Sequence, residues 1–357
     1  MNALIMDTSF NVVCVVDDYE SFIWSDRFCA EGDFEIYAPV KAQFNSYIKE
    51  GYYLWSSKSE HLMIIEDIEI DTDIESGNHI TVTGRSLESI LRRRIVWTQT
   101  ILSGDFQNGI KKLLTDNIIS PTISARKITN FIFKESTDSR ITSLKVEAQF
   151  TGDNLYDSIK ALCESNKVGF KVTLNSSFQF VFELYMGTDR SYDQSKVPYV
   201  VFSPNFENII NSKYYESSKD LKNVALIGGE GEGTDRRYTV IAGNGGSESI
   251  SGLERRELFV DARDISSKVD DKTLTEVEYN AQLQQRGADK LAENKQVTNF
   301  DGEIDTTQLY VYGRDFFVGD IVQLENEYGK TSCSRVEETM YSEDANGVGI
   351  VPTFTAV

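Results

Sequence analysis

Histidine is the side chain best suited to move protons near neutral pH and to hold zinc. This chain has two, His61 and His79, in 357 residues. Neither stands in an HExxH pair or close to a cysteine, and no GxSxG elbow occurs. His61, between Glu60 and the run Leu62-Met63-Ile64-Ile65, reads as a surface residue at a strand end. His79 reads as solvent-facing, just past a turn. Hydrolysis with a histidine base and zinc chemistry are therefore not expected. Cys14, Cys29, Cys163 and Cys333 form no CxxC pair and read as small apolar residues of a reducing compartment.

Three other segments invite chemistry and fall short of it. Gly228-Gly229-Glu230-Gly231-Glu232-Gly233 has the glycines of a phosphate loop, but Thr234-Asp235 follow where Lys and Ser/Thr are needed, and Glu230 and Glu232 repel phosphate. A strand-like segment, Arg237–Ala242, follows it where a dinucleotide site needs a helix. A hairpin tip or subunit-contact loop is the expectation. Asp71-Thr72-Asp73-Ile74-Glu75-Ser76-Gly77 starts like a calcium loop, with glycine seventh rather than sixth and no glutamate twelfth. Trp24, Trp55 and Trp97 are candidates for stacking on sugars, or for the core. No catalytic, cofactor-binding or metal residue is assigned, and no cofactor is expected.

The elements that would position such groups read as strands, then helices, then strands. Asn11–Asp17 is an apolar run, and Phe34, Ile36 and Ala38 share one face of a second strand. Ile68, Ile70 and Ile74 alternate before Ser76-Gly77-Asn78, and Ile80 and Val82 after it, which predicts a hairpin. Ser86 is placed to cap a short helix bearing Leu87, Ile90 and Leu91 and closed by Arg92, Arg93 and Arg94. Phe106, Ile110, Leu113 and Leu114 form one helical stripe. Leu155, Ile159, Leu162 and Cys163 form another, with Asp153 as its cap. Phe170–Leu174 and Phe178–Leu184 read as strands, as do Tyr199–Phe202, Ile209–Tyr215 and Val224–Gly228. A long polar helix follows over Leu274–Asn294, with Leu274, Val277, Ala281, Ala288 and Leu291 as its seam. Ile321–Leu324, Thr331–Val336 and Gly349–Ala356 close the chain as strands. The order predicts an α+β chain that is mainly β, and no sequence repeat relates the first and last hundred residues.

Composition narrows the partners. Lys and Arg number 36 against 56 Asp and Glu, a formal charge of −20, so the average field repels phosphate and opposes a grip on duplex DNA. The longest stretch without a charged residue is the thirteen residues from Ala345 to Val357, too short to span a bilayer. Met1 to Met6 lacks the basic start of a secretory signal. The reading is a chain made in the cytoplasm.

Several segments in this order resemble a known group. They are Gly84-Arg85-Ser86-Leu87-Glu88-Ser89-Ile90-Leu91, Gly169-Phe170 with Tyr185-Met186-Gly187-Thr188-Asp189-Arg190, and Asn223 to Gly233. Gln285-Arg286-Gly287 with Leu291-Ala292-Glu293, and Gly319-Asp320-Ile321-Val322 with Asn326-Glu327-Tyr328-Gly329, complete the set. Together they resemble the tail-tip (baseplate) hub proteins of siphophages and prophages, relatives in fold of the contractile-phage baseplate hub and of the amino-terminal part of tail-associated lysins. The resemblance implies two β-barrel-like tube domains with inserted α+β peripheral domains. The first barrel would be 1–98 and the second 200–240 with 297–357. Residues 99–199 would form an α+β domain and 241–296 an insertion carrying the long helix. It also implies a homotrimer whose six similar barrels meet a sixfold tail tube on one side and a threefold tip on the other. Its partners would be the distal tail ring, tail tube and tape measure proteins, and a tail fibre or receptor-binding protein. DNA would pass without sticking, and the site of action would be the virion tail tip. No lytic module is expected, as the last strands before Val357 are needed for the second barrel. A receptor- or carbohydrate-binding module, and a cell-wall hydrolase using acid pairs, are the alternatives.

Overall fold

A computed structural model describes residues 3–41, 46–75, 77–269, 272–304 and 309–357. The hairpin expected around Gly77 is present: Leu62–Asp73 pairs with Gly77–Ser86, and Ile80 and Val82 are buried. Phe34, Ile36 and Ala38 are buried on one face of Asp33–Pro39 while Glu35 is exposed. Both helical stripes are fully buried, in helices Phe106–Leu114 and Leu155–Ser165.

One 13-stranded sheet dominates, and eight of its strands form two matching quartets. In the first, Ser21–Arg27 pairs with Asp33–Pro39, which pairs with Gly77–Ser86, which pairs with Leu62–Asp73. In the second, Ile209–Ser217 pairs with Val297–Ile304, which pairs with Gly347–Ala356, which pairs with Thr331–Asp344. Both quartets thus run first, second, fourth, third in chain order. The match reaches single residues. Asp73 faces Gly77 in one long hairpin and Asp344 faces Gly347 in the other. Six rungs on, Asp67 faces Thr83 and Glu338 faces Thr353, and in each a bulge follows, leaving Glu66 or Glu337 without an opposite residue.

The quartets curl around separate cores. Trp24, Phe22, Ile36, Met63 and Ile80 lie in the first, and Phe202, Phe316, Leu324, Val336 and Phe354 in the second. Neither closes into a barrel among the described residues. The far half of Thr331–Asp344 leaves its partner Ile321–Glu325 at the bulge and pairs instead with Ser21–Arg27, so the two halves share one sheet. A third core gathers both short helices and strands Gly169–Leu174 and Phe180–Tyr185, along with Phe28, Leu62, Ile64 and Leu87 from the first half. Val224–Gly228 and Tyr238–Ala242 do not join the closing strands. They form their own sheet with Glu257–Asp261, covered by the helix Glu276–Glu293.

Four local expectations need correction. Leu87–Arg93 is a 3-10 helix, and Ser86 Oγ does not cap it but accepts the Gly32 N–H at 2.8 Å. Asn154 rather than Asp153 caps the second helix, accepting from Tyr156 N–H at 3.0 Å. Tyr199–Phe202 shortens to the strand Val201–Phe202. On the long helix Val277 and Ala288 are exposed, and the buried seam is Tyr279, Leu283, Gly287 and Leu291, one residue every four. Thr275 and Glu278 form a capping box at its start.

Candidate functional site: a buried joint and an uncovered acidic face

His61 is not a surface residue. Its Nδ1 lies 3.2 Å from Glu88 Oε1, with both side chains buried. Glu88 Oε1 also accepts the Val172 N–H at 2.7 Å, which ties the first half to the α+β unit. Asp26 stands close by, accepting from Trp24 Nε1 at 2.9 Å and from Ser59 Oγ at 2.8 Å. Burial opposes a charge on His61, but the Glu88 and Asp26 carboxylates outweigh it and push its pKa up to about 9. Burial likewise opposes the Glu88 charge, and the His61 cation overcomes it, holding that carboxyl below its ordinary value. At Asp26 burial wins and the carboxyl is raised. The group is therefore a buried cluster of one histidine and two carboxyls, with His61 and Glu88 as its ion pair. Its neighbours Lys171, Tyr185 and Tyr312 face the same cleft.

Around this cluster the backbones approach too closely for side chains. A Cβ at Gly187 would lie 1.9 Å from the Gly319 carbonyl oxygen, and one at Gly169 would lie 2.4 Å from the Phe28 ring. Phe28 also meets the Tyr185 ring edge-on at 5.3 Å and the Arg335 guanidinium at 4.5 Å. Asp320 accepts from Thr188 N–H at 2.7 Å and pairs with Arg190 at 2.8 Å. The residues that carry the resemblance in this part of the chain thus converge on one joint between the first half, the α+β unit and the second half. Asn223 to Gly233 and the Gln285–Glu293 segments instead meet in a fourth core, between the sheet of Val224–Gly228 and the long helix, and Asn326 to Gly329 form the turn ahead of Thr331–Asp344. A Cβ at Gly287 would meet Ile227 at 2.7 Å, and one at Gly229 would meet the Tyr279 hydroxyl at 2.3 Å. Their task is close packing, and the glycine-rich segment is the tip of the hairpin joining Val224–Gly228 to Tyr238–Ala242.

The remaining singled-out residues scatter. His79 is not solvent-facing: its ring stacks on Tyr37 at 4.8 Å and lies 3.3 Å from Glu20. Cys29 and Cys163 are buried in the third core, where burial foremost, and then the neighbouring Cys163 sulfur, raise the Cys29 thiol. Cys14 and Cys333 are only partly buried. Trp24 is core, whereas Trp55 and Trp97 are exposed on separate parts of the surface.

The second feature is a surface. The cores cover one face of the eight-stranded ribbon except at the end of Leu62–Asp73, where Ile68 and Ile70 stay exposed, and alternation turns the other residues outward. Asp33, Glu35, Glu66, Asp67, Glu69, Asp71, Asp73, Glu338 and Asp344 occupy that outer face with Arg27, Arg85 and Lys213. Arg27 is held by Asp33 and Glu338 at 2.7 and 2.8 Å, and Arg85 by Glu66 at 2.6 Å. The cations are thus largely spent within the face, and its field is negative.

A family model described as Siphovirus ReqiPepy6 Gp37-like protein matches residues 2–354. Among solved structures, the tail protein from Neisseria meningitidis MC58 has a TM-score of 0.58 at 12% identity, covering 99% of this chain and 96% of that one. The 43 kDa tail protein of prophage MuSo2 from Shewanella oneidensis has a TM-score of 0.57 at 12% identity, covering 99% and 98%. Prophage tail protein gp18 from Listeria monocytogenes EGD-e has a TM-score of 0.56 at 11% identity, covering 99% and 94%. No curated protein matches the chain.

Proposed function

The chain belongs to the siphovirus ReqiPepy6 Gp37-like family and has the fold of prophage tail proteins, and from that premise we propose that it is a structural subunit of the tail-tip hub. In this reading three copies form a ring in which two similar sheet quartets per copy meet a sixfold tail tube. The distal tail ring, tube and tape measure proteins are its neighbours on one side and a fibre or receptor-binding protein on the other. In this reading 1–98 and 200–223 with 297–357 are the two tube units, and 99–199 and 224–296 are peripheral ones; the separate sheet of Val224–Gly228 supports ending the second tube segment before it. No bond chemistry is assigned to the chain, and its place is the virion tail.

The observation that carries this reading is the acidic outer face on a ribbon of two matched quartets. A conduit for DNA must not release counterions from its cargo, and a face on which carboxylates outnumber cations, with Arg27 and Arg85 already paired, offers little to do so. The buried ion cluster and the glycine contacts hold the peripheral unit to that wall.

Light scattering on the purified full chain tests the assembly, with three copies per particle as the expected mass. A monomer at the highest soluble concentration would count against the ring. Retention of duplex DNA at about 0.15 M salt would refute the non-stick wall. Clearing of host wall material by the chain alone would replace the structural reading with a hydrolase.

A further inference from the structure

Within one copy, the two quartets already join edge to edge. Residues 338–344 pair antiparallel with Ser21–Arg27, with Tyr341 opposite Trp24, Ser342 opposite Ile23 and Glu338 opposite Arg27. The matching hairpin of the first quartet has the same bulge at the same rung, and its residues 67–72 correspond to 338–343. Yet the far edge of residues 67–72 carries no strand among the described residues, since Tyr53–Ser56 pairs only as far as Ile64. At the opposite end of the ribbon, Ile209–Ser217 corresponds to Ser21–Arg27. Tyr214 faces Phe300 as Trp24 faces Phe34, and the outer edge of this strand also carries no partner strand among the described residues. Each quartet therefore presents the half of the joint that the other lacks.

We propose that residues 67–72 of one copy add antiparallel to Ile209–Ser217 of the next, repeating between copies the joint made within each. This rests on the ring reading above and specifies its contact. Carrying the internal register across puts Ile70 opposite the partner copy's Tyr214, Asp71 opposite Lys213, and Glu69 opposite Tyr215. The chemistry fits at each rung. Ile70 and Tyr214 both lie on the core side of their strands and are 44% and 36% exposed. Asp71 and Lys213 are opposite charges on the outer face, both exposed, and an opposed charge pair across strands is favourable. Two open edges that fit each other, each on a strand with exposed apolar side chains, are what a protein otherwise protects against aggregation. Because the contact is head to tail, it closes only as a ring.

The test uses the full chain with Asp71→Cys and Lys213→Cys together, two exposed positions whose replacement leaves the cores intact. These positions lie at opposite ends of the ribbon, so a disulfide between them must join two copies. Mild oxidation should give covalent species of two and three chains on a non-reducing gel. Either single variant should give none through these positions, and Asp71→Cys with Tyr215→Cys, two residues out of register, should give at least about tenfold less. Separately, Lys213→Asp should weaken assembly several-fold by light scattering, and adding Asp71→Lys to it should restore most of the loss. A trimeric mass without the cross-link overturns this contact and leaves the hub reading standing. Cross-linked ladders well beyond three chains overturn ring closure, dimers from one single variant overturn the head-to-tail sense, and a monomer throughout overturns both readings.

Discussion

Alkaline pH should loosen the joint through His61. Burial works against its charge, yet Glu88 and Asp26 prevail and set its folded pKa at about 9, against about 6.5 for a free histidine. Between those values the folded chain keeps a proton that the unfolded chain has released. The stabilisation is therefore complete below about pH 6.5 and is lost as the pH rises through about 9. A separation of about 2.5 pH units at roughly 1.4 kcal/mol each gives a decline of about 3 kcal/mol, a large part of the 5–15 kcal/mol that holds a typical domain together. Urea unfolding at a series of pH values from about 6 to 10 measures it directly. His61→Gln supplies the reference, because cysteines, tyrosines and lysines titrate equally in both chains. The variant should start roughly 3–5 kcal/mol less stable, with the Glu88 carboxylate buried and uncompensated. It should also lack the decline, so the two curves converge as the pH rises. Parallel curves would refute the assignment of a buried histidine cation.

Three further outcomes follow from the packing. Gly187→Ala must move the Gly319 carbonyl or its own backbone, since the added carbon would sit 1.9 Å from that oxygen; a loss of roughly 3 kcal/mol or more in urea unfolding is expected. Asp289 is raised to about 6 by burial, against the Gln285 hydrogen bond. A raised carboxyl weakens the fold above its pKa, so Asp289→Asn should be stabilising at pH 7, by up to about 3 kcal/mol, and near neutral at pH 4 by the same measurement. Tyr279→Phe removes the hydroxyl that accepts the Glu230 N–H at 2.7 Å and donates to the Ile265 carbonyl. It should lower the thermal midpoint, at a cost of about 1–2 kcal/mol.

Local signals in the sequence were dependable where one segment decides its own fate. The hairpin at Gly77 and the stripes Phe106–Leu114 and Leu155–Cys163 declare themselves by alternation or by a helical period; burial follows the pattern in both stripes and at Ile80 and Val82, while Ile68, Ile70 and Ile74 stay exposed. Residues whose environment is set by distant chain carry no such local signal. His61 stands beside acidic Glu60, but its surroundings come from Glu88, Asp26 and the strand starting at Gly169. The long helix hides its seam because Tyr279 and Gly287 are not ordinary markers of a core. Gly287 is there because the Ile227 side chain takes the space of a Cβ. The glycine-bearing segments were legible as a resemblance, and only the packing shows that they do the same job in two separate places.

The internal repeat has a different cause of concealment. A strand quartet requires alternation and a bulge at a fixed rung, and neither depends on residue identity. Ile65-Glu66-Asp67 and Val336-Glu337-Glu338 are the trace that survives: an apolar residue, then two acids that break the alternation where each bulge falls. At Asp67 and Glu338 the outer face beyond the bulge leaves the carboxylate in reach of solvent, whereas Glu337 at the second bulge is largely covered and burial raises its carboxyl. The charge of −20 is then not spread at random over the surface. A share of it lies along one ribbon, on the side away from both cores, where the same fold that buries Ile80 and Phe354 turns a line of carboxylates outward.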